Sequence, residues 1–279
     1  MILLKKLLTL SLFVTTIIIN AQKPFDVIVK GKGEPILLFP GFACTGEVWD
    51  DTVVELSKNY ECHIFTFAGF GTVAPIEKPW LIKIKEGVNE YVKNQKLKNP
   101  TIIGHSLGGS LGLWLAIEEE NPYSKLILVE ALPSIGALFM PNFKSEDMVY
   151  DSPRNNQMLQ MNTVAFESMA EQMANGMTLN EDKKSQIKNW IIQADRETYV
   201  YGYTDLLKLD LRNDIAKINI PVIVLAATHP YGKEMVEKTY QKQYQNLETY
   251  DIEYVENAAH FIMYDNPSWF LKQLIKHLK

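Results

Sequence analysis

Gly104-His105-Ser106-Leu107-Gly108-Gly109 constrains this chain more than any other stretch. It lies between the apolar run Thr101-Ile102-Ile103 and the periodic run Leu111 to Ile117, so it reads as strand, one sharp turn, then helix. Glycines two positions to either side of the serine complete the pattern G-x-S-x-G, a nucleophile elbow. A turn this tight has no room for Cβ atoms at its flanks, which is why glycine stands there. It lifts a serine hydroxyl clear of the sheet, with a helix N-terminus behind it. The N–H after the serine, on Leu107, then points to where an oxyanion would form.

Around the elbow, short apolar runs alternate with helical-period spacers. Residues 26–29, 35–39, 63–67, 126–129, 220–225 and 252–255 read as strands, and 46–58, 80–95, 233–245 and 267–278 as helices. Unbroken Val/Ile/Leu strands separated by helices imply an α/β fold, with a mostly parallel, doubly wound sheet covered on both faces. Gly31-Lys32-Gly33 predicts a hairpin between the first two strands. The alternation stops at Leu132. Between Pro133 and Lys208 no strand is legible, and helices are expected over 157–175, 180–193 and 196–207. A core of residues 22–132 and 209–279 is thus interrupted by a helical insertion over 133–208. Seven of the ten methionines fall in the insertion, and Met169, Met173 and Met177 share one helix face. They pack the insertion onto the core, or line an adaptable apolar wall over a pocket, and both can hold at once.

A hydrophobic content of 47% supplies a substantial core, and the net charge of −5 is spread without a basic stripe, which argues against nucleic acid as a partner. Residues 1–21 read as a signal peptide: Lys5-Lys6, thirteen uncharged residues from Leu7 to Ile19, and Ala21 before a cleavage point at Gln22. The run is short for a membrane span, and no cysteine follows it to carry a lipid. The expectation is export to the periplasm or the medium, with no stable membrane anchor after cleavage. Cys44 and Cys62 fall at opposite ends of a parallel sheet, so free thiols are expected, and two cysteines are too few for a metal site.

A serine hydroxyl is a weak nucleophile and needs a base within hydrogen-bond reach. Of five histidines, His105 is inside the elbow, His63 in a strand, His277 in the last helix and His229 one strand early. His260, in Asn257-Ala258-Ala259-His260-Phe261, follows the last strand and stands in the right chain order after Ser106. Glu130 directly follows the strand 126–129, so its carboxylate faces the same rim as Ser106. A loose dinucleotide fingerprint, Gly69-x-Gly71-x-x-Ala74, is followed by Pro75 and Pro79 rather than by a helix that could hold a pyrophosphate, so those glycines read as a rim loop.

These motifs together resemble the α/β-hydrolase superfamily over nearly all of the chain after residue 21. Phe39-Pro40-Gly41-Phe42 with Trp49 resembles its oxyanion loop, Phe67 to Gly71 the loop after the next strand, and Ala259-His260-Phe261 its histidine loop. The insertion takes the place of a helical cap. Two features depart from that pattern. Pro40 stands where a histidine is common, which leaves the backbone N–H groups of Phe42 and Leu107 as oxyanion donors. The family's acid commonly follows the strand after the cap, but here Pro230 occupies that place, and no carboxylate appears before Glu234. Some members carry the acid where Glu130 stands. Glu130, Glu234, another carboxylate or none therefore remain open as the partner of His260.

The resemblance implies a serine hydrolase, and the N-terminal segment implies that it is secreted. Such an enzyme would cleave an ester or related acyl bond of a small molecule through Ser106, His260 and an acid, with no metal or organic cofactor. An amidase, aminopeptidase or lactonase would use the same residues. A non-catalytic ligand binder on the same fold is the alternative from another class, and the motifs do not address the oligomeric state.

Overall fold

In a computed structural model of the chain, residues 22–140 and 142–279 are described. The segment read as a signal peptide, residues 1–21, lies outside them. The elements run β1 (Phe25–Lys30), β2 (Glu34–Phe39), α1 (Asp50–Leu56), β3 (Tyr60–Phe67), α2 (Trp80–Asn94), β4 (Thr101–His105), α3 (Leu107–Ala116) and β5 (Lys125–Val129). Helices α4 (Gly136–Phe139), α5 (Pro153–Gln160), α6 (Thr163–Met177), α7 (Glu181–Gln193) and α8 (Arg196–Lys208) follow without a strand. The alternation resumes with β6 (Val222–Ala227), α9 (Lys233–Gln243), β7 (Asp251–Val255), α10 (Ile262–Asp265) and α11 (Pro267–Leu278).

The sheet has seven strands in the order β1-β3-β2-β4-β5-β6-β7, parallel throughout except for β1. Its middle strands β4, β5 and β6 are almost entirely buried, as their unbroken apolar sequences require. Because the strands are parallel, the segments after β2, β4, β5, β6 and β7 all emerge toward one rim, where such folds place their sites.

The expected hairpin between β1 and β2 does not form. Strand β3 lies between them, antiparallel to β1 and parallel to β2. Gly31 and Gly33, at φ 83° and 134°, carry the chain over the entry to β3. A Cβ at Gly31 would lie 2.3 Å from Tyr60 O, and one at Gly33 2.2 Å from Asn59 O. The same glycines that read locally as a hairpin turn are thus a backbone crossing. The helix expected over 157–175 is two helices, α5 and α6, because Asn162 caps the second by accepting the Ala165 N–H at 2.9 Å. Cys44 and Cys62 are both free and buried.

Helix α8 is tied firmly to the core. Asp205 accepts the first two N–H groups of α2, from Trp80 at 2.7 Å and Leu81 at 3.0 Å, together with the Tyr150 hydroxyl at 2.5 Å. The carboxylate thereby satisfies donors that a helix start leaves unpaired. At the other end of α8, Gly69 O accepts the Asp195 N–H at 2.8 Å. Helices α6 and α7 pack on each other, and Met158, Met161, Met169, Met173 and Met177 lie partly buried against the core. Among the described residues no helix is long and apolar enough to cross a membrane.

Candidate active site

Ser106 forms the turn between β4 and α3 at φ 52° and ψ −116°. That backbone conformation costs a residue with a Cβ about 1–3 kcal/mol and persists only where its surroundings impose it. Here the Ser106 N–H donates to Val129 O at 2.8 Å, and Ser106 O accepts from Gly109 and Ser110 N–H at 3.0 Å. Helix α3 can sit this close to the sheet because its partners lack side chains at the contact. A Cβ on Gly104 would lie 2.4 Å from Gly108 O, and one on Gly108 would lie 2.4 Å from Phe39 O. Ser106 is consequently half-buried at the rim, between neighbours that are fully buried.

Two N–H groups flank it. Leu107 is the first residue of α3, whose opening N–H groups have no partner within the helix. Phe42 lies in the turn after β2, closed by Cys44 N–H to Gly41 O at 3.1 Å. Gly41 itself lies against Ser106: a Cβ there would be 3.5 Å from Ser106 Cβ. The Phe42 ring is wedged among Phe70, Tyr199 and Tyr203, with centroids 5.2, 5.4 and 5.4 Å away. Tyr199 reaches Met173 Sδ at 3.3 Å and meets Phe166 edge-on. The wall beside the serine is therefore aromatic and thioether in character, contributed by the rim loops, α6 and α8.

The His260 loop is held at three successive residues. The Ala259 N–H donates to Asp265 Oδ2 at 2.7 Å, His260 O accepts from His105 Nε2 at 2.9 Å, and the Phe261 N–H donates to Met177 O at 3.1 Å. The other oxygen of Asp265 accepts from the Thr178 hydroxyl at 2.5 Å, Leu179 N–H at 2.9 Å and Asn180 N–H at 3.1 Å, all in the turn between α6 and α7. One carboxylate thus joins the histidine loop to the inserted helices. Because a carbonyl can only accept, His105 carries its proton on Nε2, and its buried Nδ1 has no partner among the described residues. Burial, and then the adjacent His260, hold His105 well below the usual histidine range, so it is neutral.

Glu130 emerges from β5 at φ 51° and turns its carboxylate toward His260, whose Nδ1 lies 3.3 Å from Oε2. Its Oε1 accepts the Ala227 N–H at 2.7 Å and the Tyr240 hydroxyl at 3.3 Å. The His260–Glu130 link is formed, whereas Ser106 Oγ has no hydrogen-bond partner among the described residues. In unliganded enzymes such contacts commonly tighten only when substrate binds.

The other residues weighed from sequence fall elsewhere. Glu234 is exposed in the first turn of α9 and pairs with Lys238 at 2.7 Å. His229 is exposed. His63 is bonded to Tyr91 and Glu61 at 2.7 and 2.9 Å, and His277 sits 3.5 Å from Glu253. Among the described residues no cluster of three or more His, Cys, Asp or Glu is placed to hold a metal ion. Sequence reasoning passed over His105, Asp265 and Tyr240 as parts of the site. A faint signal existed for the last, since Tyr240 and Tyr244 are four apart on one helix face.

A family model described as Alpha/beta hydrolase family matches residues 36–273. Pimeloyl-[acyl-carrier protein] methyl ester esterase of Vibrio cholerae serotype O1 is 22% identical over 254 residues, covering 89% of this chain and 95% of that one. The protein of the same description from Vibrio atlanticus is 25% identical over 211 residues, covering 71% and 76%. Among solved structures, the enol-lactonase from Burkholderia xenovorans LB400 superposes with a TM-score of 0.77 at 17% identity, covering 91% of this chain and 96% of that one. The esterase EaEST from Exiguobacterium antarcticum gives 0.75 at 17%, covering 91% and 94%. At such identities the structures speak for the fold alone.

Proposed function

Because the chain belongs to the alpha/beta hydrolase family, we propose that it is a serine hydrolase that cleaves an ester or related acyl bond in a small molecule, acting after export from the cytoplasm. The observation that carries this reading is the convergence on one rim of Ser106, in its strained turn at the start of α3, and the His260–Glu130 pair. Ser106 Oγ attacks the acyl carbonyl while His260 Nε2 takes its proton. The backbone N–H groups of Phe42 and Leu107 receive the oxyanion, and each such donor is worth about 10²–10³ in turnover. His260 returns the proton to the departing alkoxide, and an incoming water repeats the sequence to release the acid. Glu130 holds the imidazole in the tautomer with its proton on Nδ1 and stabilises the imidazolium. Residues 133–208 act as a cap over this rim, with Tyr199, Tyr203 and Met173 as an apolar wall for the acyl group. The names of the relatives, methyl ester esterases among them, support an ester of a small alcohol. A lactone would be opened by the same groups.

Labelling of the protein by a fluorophosphonate probe, beside Ser106→Ala and His260→Ala, tests the reading. Labelling that requires both residues is the expected result, with hydrolysis of p-nitrophenyl esters following the same pattern. Glu130→Gln should lower turnover by about 10⁴, the scale of losing a triad carboxylate's function, while Glu234→Gln leaves it near normal. The reverse order would return the acid's role to Glu234. Absence of labelling in folded protein open to the probe would favour a ligand binder.

A further inference from the structure

The turn that carries Glu130 is gripped by one helix. From the second half of α9 the Tyr240 hydroxyl reaches Glu130 Oε1 at 3.3 Å, and from the residue that caps the helix the Tyr244 hydroxyl donates to Ala131 O at 2.9 Å. Gln243 takes both backbone groups of Ser134, accepting its N–H at 3.1 Å and donating to its carbonyl at 2.8 Å. The two tyrosine rings stack 6.0 Å apart at 10°, so each restricts the other. Ser110 completes the set from α3, donating to Leu132 O at 2.8 Å. The run from Glu130 to Ser134 is thus anchored at four of its five residues by side chains reaching in from outside it.

The carboxylate itself has a further requirement. A Glu side chain on a strained turn keeps its terminal rotation, and one N–H bond, from Ala227 to Oε1, defines a position for that oxygen without stopping the group from swinging about it. A second donor on the same oxygen from a different direction removes that freedom and leaves Oε2 as the oxygen that faces His260. Tyr240 supplies this donor. Its hydroxyl has no other partner among the described residues, and it is buried, so it cannot trade the bond for water. It stays protonated, because burial, followed by the neighbouring charge of Glu130, pushes its pKa well above the usual tyrosine value.

We propose that Tyr240 is a positioning residue of this site, whose hydroxyl fixes the Glu130 carboxylate so that Oε2 is presented to His260 Nδ1. The proposal rests on the reading of Ser106, His260 and Glu130 as a hydrolytic set. Tyr240 meets no substrate atom and acts entirely through Glu130. Removing its hydroxyl should therefore reduce kcat and leave KM unchanged, and the loss should vanish where Glu130 can no longer act.

The test is a double-mutant cycle of Tyr240→Phe with Glu130→Gln on p-nitrophenyl acetate, with Tyr244→Phe as the comparison that keeps the carboxylate's donors. Tyr240→Phe should lower kcat about tenfold at unchanged KM, the scale of one lost hydrogen bond to a charged group. In the Glu130→Gln background it should change kcat less than twofold. The low-field NMR resonance of the His260 Nδ1 proton gives a readout that needs no turnover. It should move upfield in Tyr240→Phe and stay as in the parent in Tyr244→Phe. An unchanged kcat and unchanged resonance in folded Tyr240→Phe overturn the proposal, as does a loss that persists in full beside Glu130→Gln. If the ester is not hydrolysed at all, the hydrolase reading fails on that arm, and the proton resonance alone decides whether Tyr240 orders the pair.

Discussion

Protonation of His105 should be forbidden in the native protein, and this makes stability depend on pH in a calculable way. The ring is 1% exposed, its Nε2–H is committed to His260 O at 2.9 Å, and a proton on Nδ1 would find no acceptor among the described residues. Gly41 closes that side, since even a Cβ there would stand 2.8 Å from Nδ1. In the unfolded chain the same group titrates near its usual 6.5. Below that pH the unfolded state binds a proton that the native state refuses. Stability from this group is therefore complete above 6.5 and is lost as the pH falls. With the native ring neutral throughout, the loss between pH 7.5 and 5.5 is about 1.4 kcal/mol, approaching the limiting slope of one proton per molecule. For a domain of this size that is about 3–5 °C in Tm. The assay is thermal unfolding by circular dichroism at both pH values, for the parent and for His105→Gln, whose amide keeps a donor toward His260 O but does not titrate. The variant should lose about 3–5 °C less than the parent over this interval, other histidines contributing equally to both. Equal losses would show that His105 takes up a proton in the folded state, and would refute the buried neutral assignment.

Three further outcomes follow from the packing. Gly108→Ala would drive a methyl group to 2.4 Å from Phe39 O, so α3 must move off β2. Overpacking of this kind costs about 1–3 kcal/mol, read as a lower urea midpoint, and labelling of Ser106 should fall with it. Asp205→Ala strips the start of α2 of its acceptor and leaves the N–H groups of the buried residues Trp80 and Leu81 unpaired. A loss of about 1–3 kcal/mol is expected in chemical denaturation, and an unchanged midpoint would mean that water replaces the carboxylate. Burial pushes the Cys62 thiol up to about 11 and the Cys44 thiol higher still. Native protein at pH 8 should leave Ellman's reagent unreacted over minutes, with both thiols reacting in guanidinium.

Much of the site was legible because its signals are local. The elbow announces itself within six residues, since steric crowding around one tight turn dictates glycine at fixed offsets. The parallel sheet was legible from its unbroken apolar strands, and the helical insertion from the loss of that alternation after Leu132. Chain order picked His260, and the rim rule brought Glu130 into consideration. The sequence misled at Gly31-Lys32-Gly33, because a turn motif reports the local backbone path and not which strand lies between its arms. The division of the expected helix at Asn162 shows the same limit in miniature, one side-chain cap overriding a continuous period.

What the sequence determined by itself was the class of fold, the strained turn that carries Ser106 and a short choice of residues to stand beside it. Tertiary structure decided which carboxylate meets His260, because Glu130 and His260 are 130 positions apart and no local pattern couples them. It also decided the support around them: His105 beneath His260 across 155 positions, Asp265 between the histidine loop and the inserted helices, and Tyr240 on Glu130 across 110. Periodicity and turn chemistry act over a few residues, whereas a hydrogen bond between buried groups is set by how the whole sheet twists and stacks, and becomes visible only once every strand has its place.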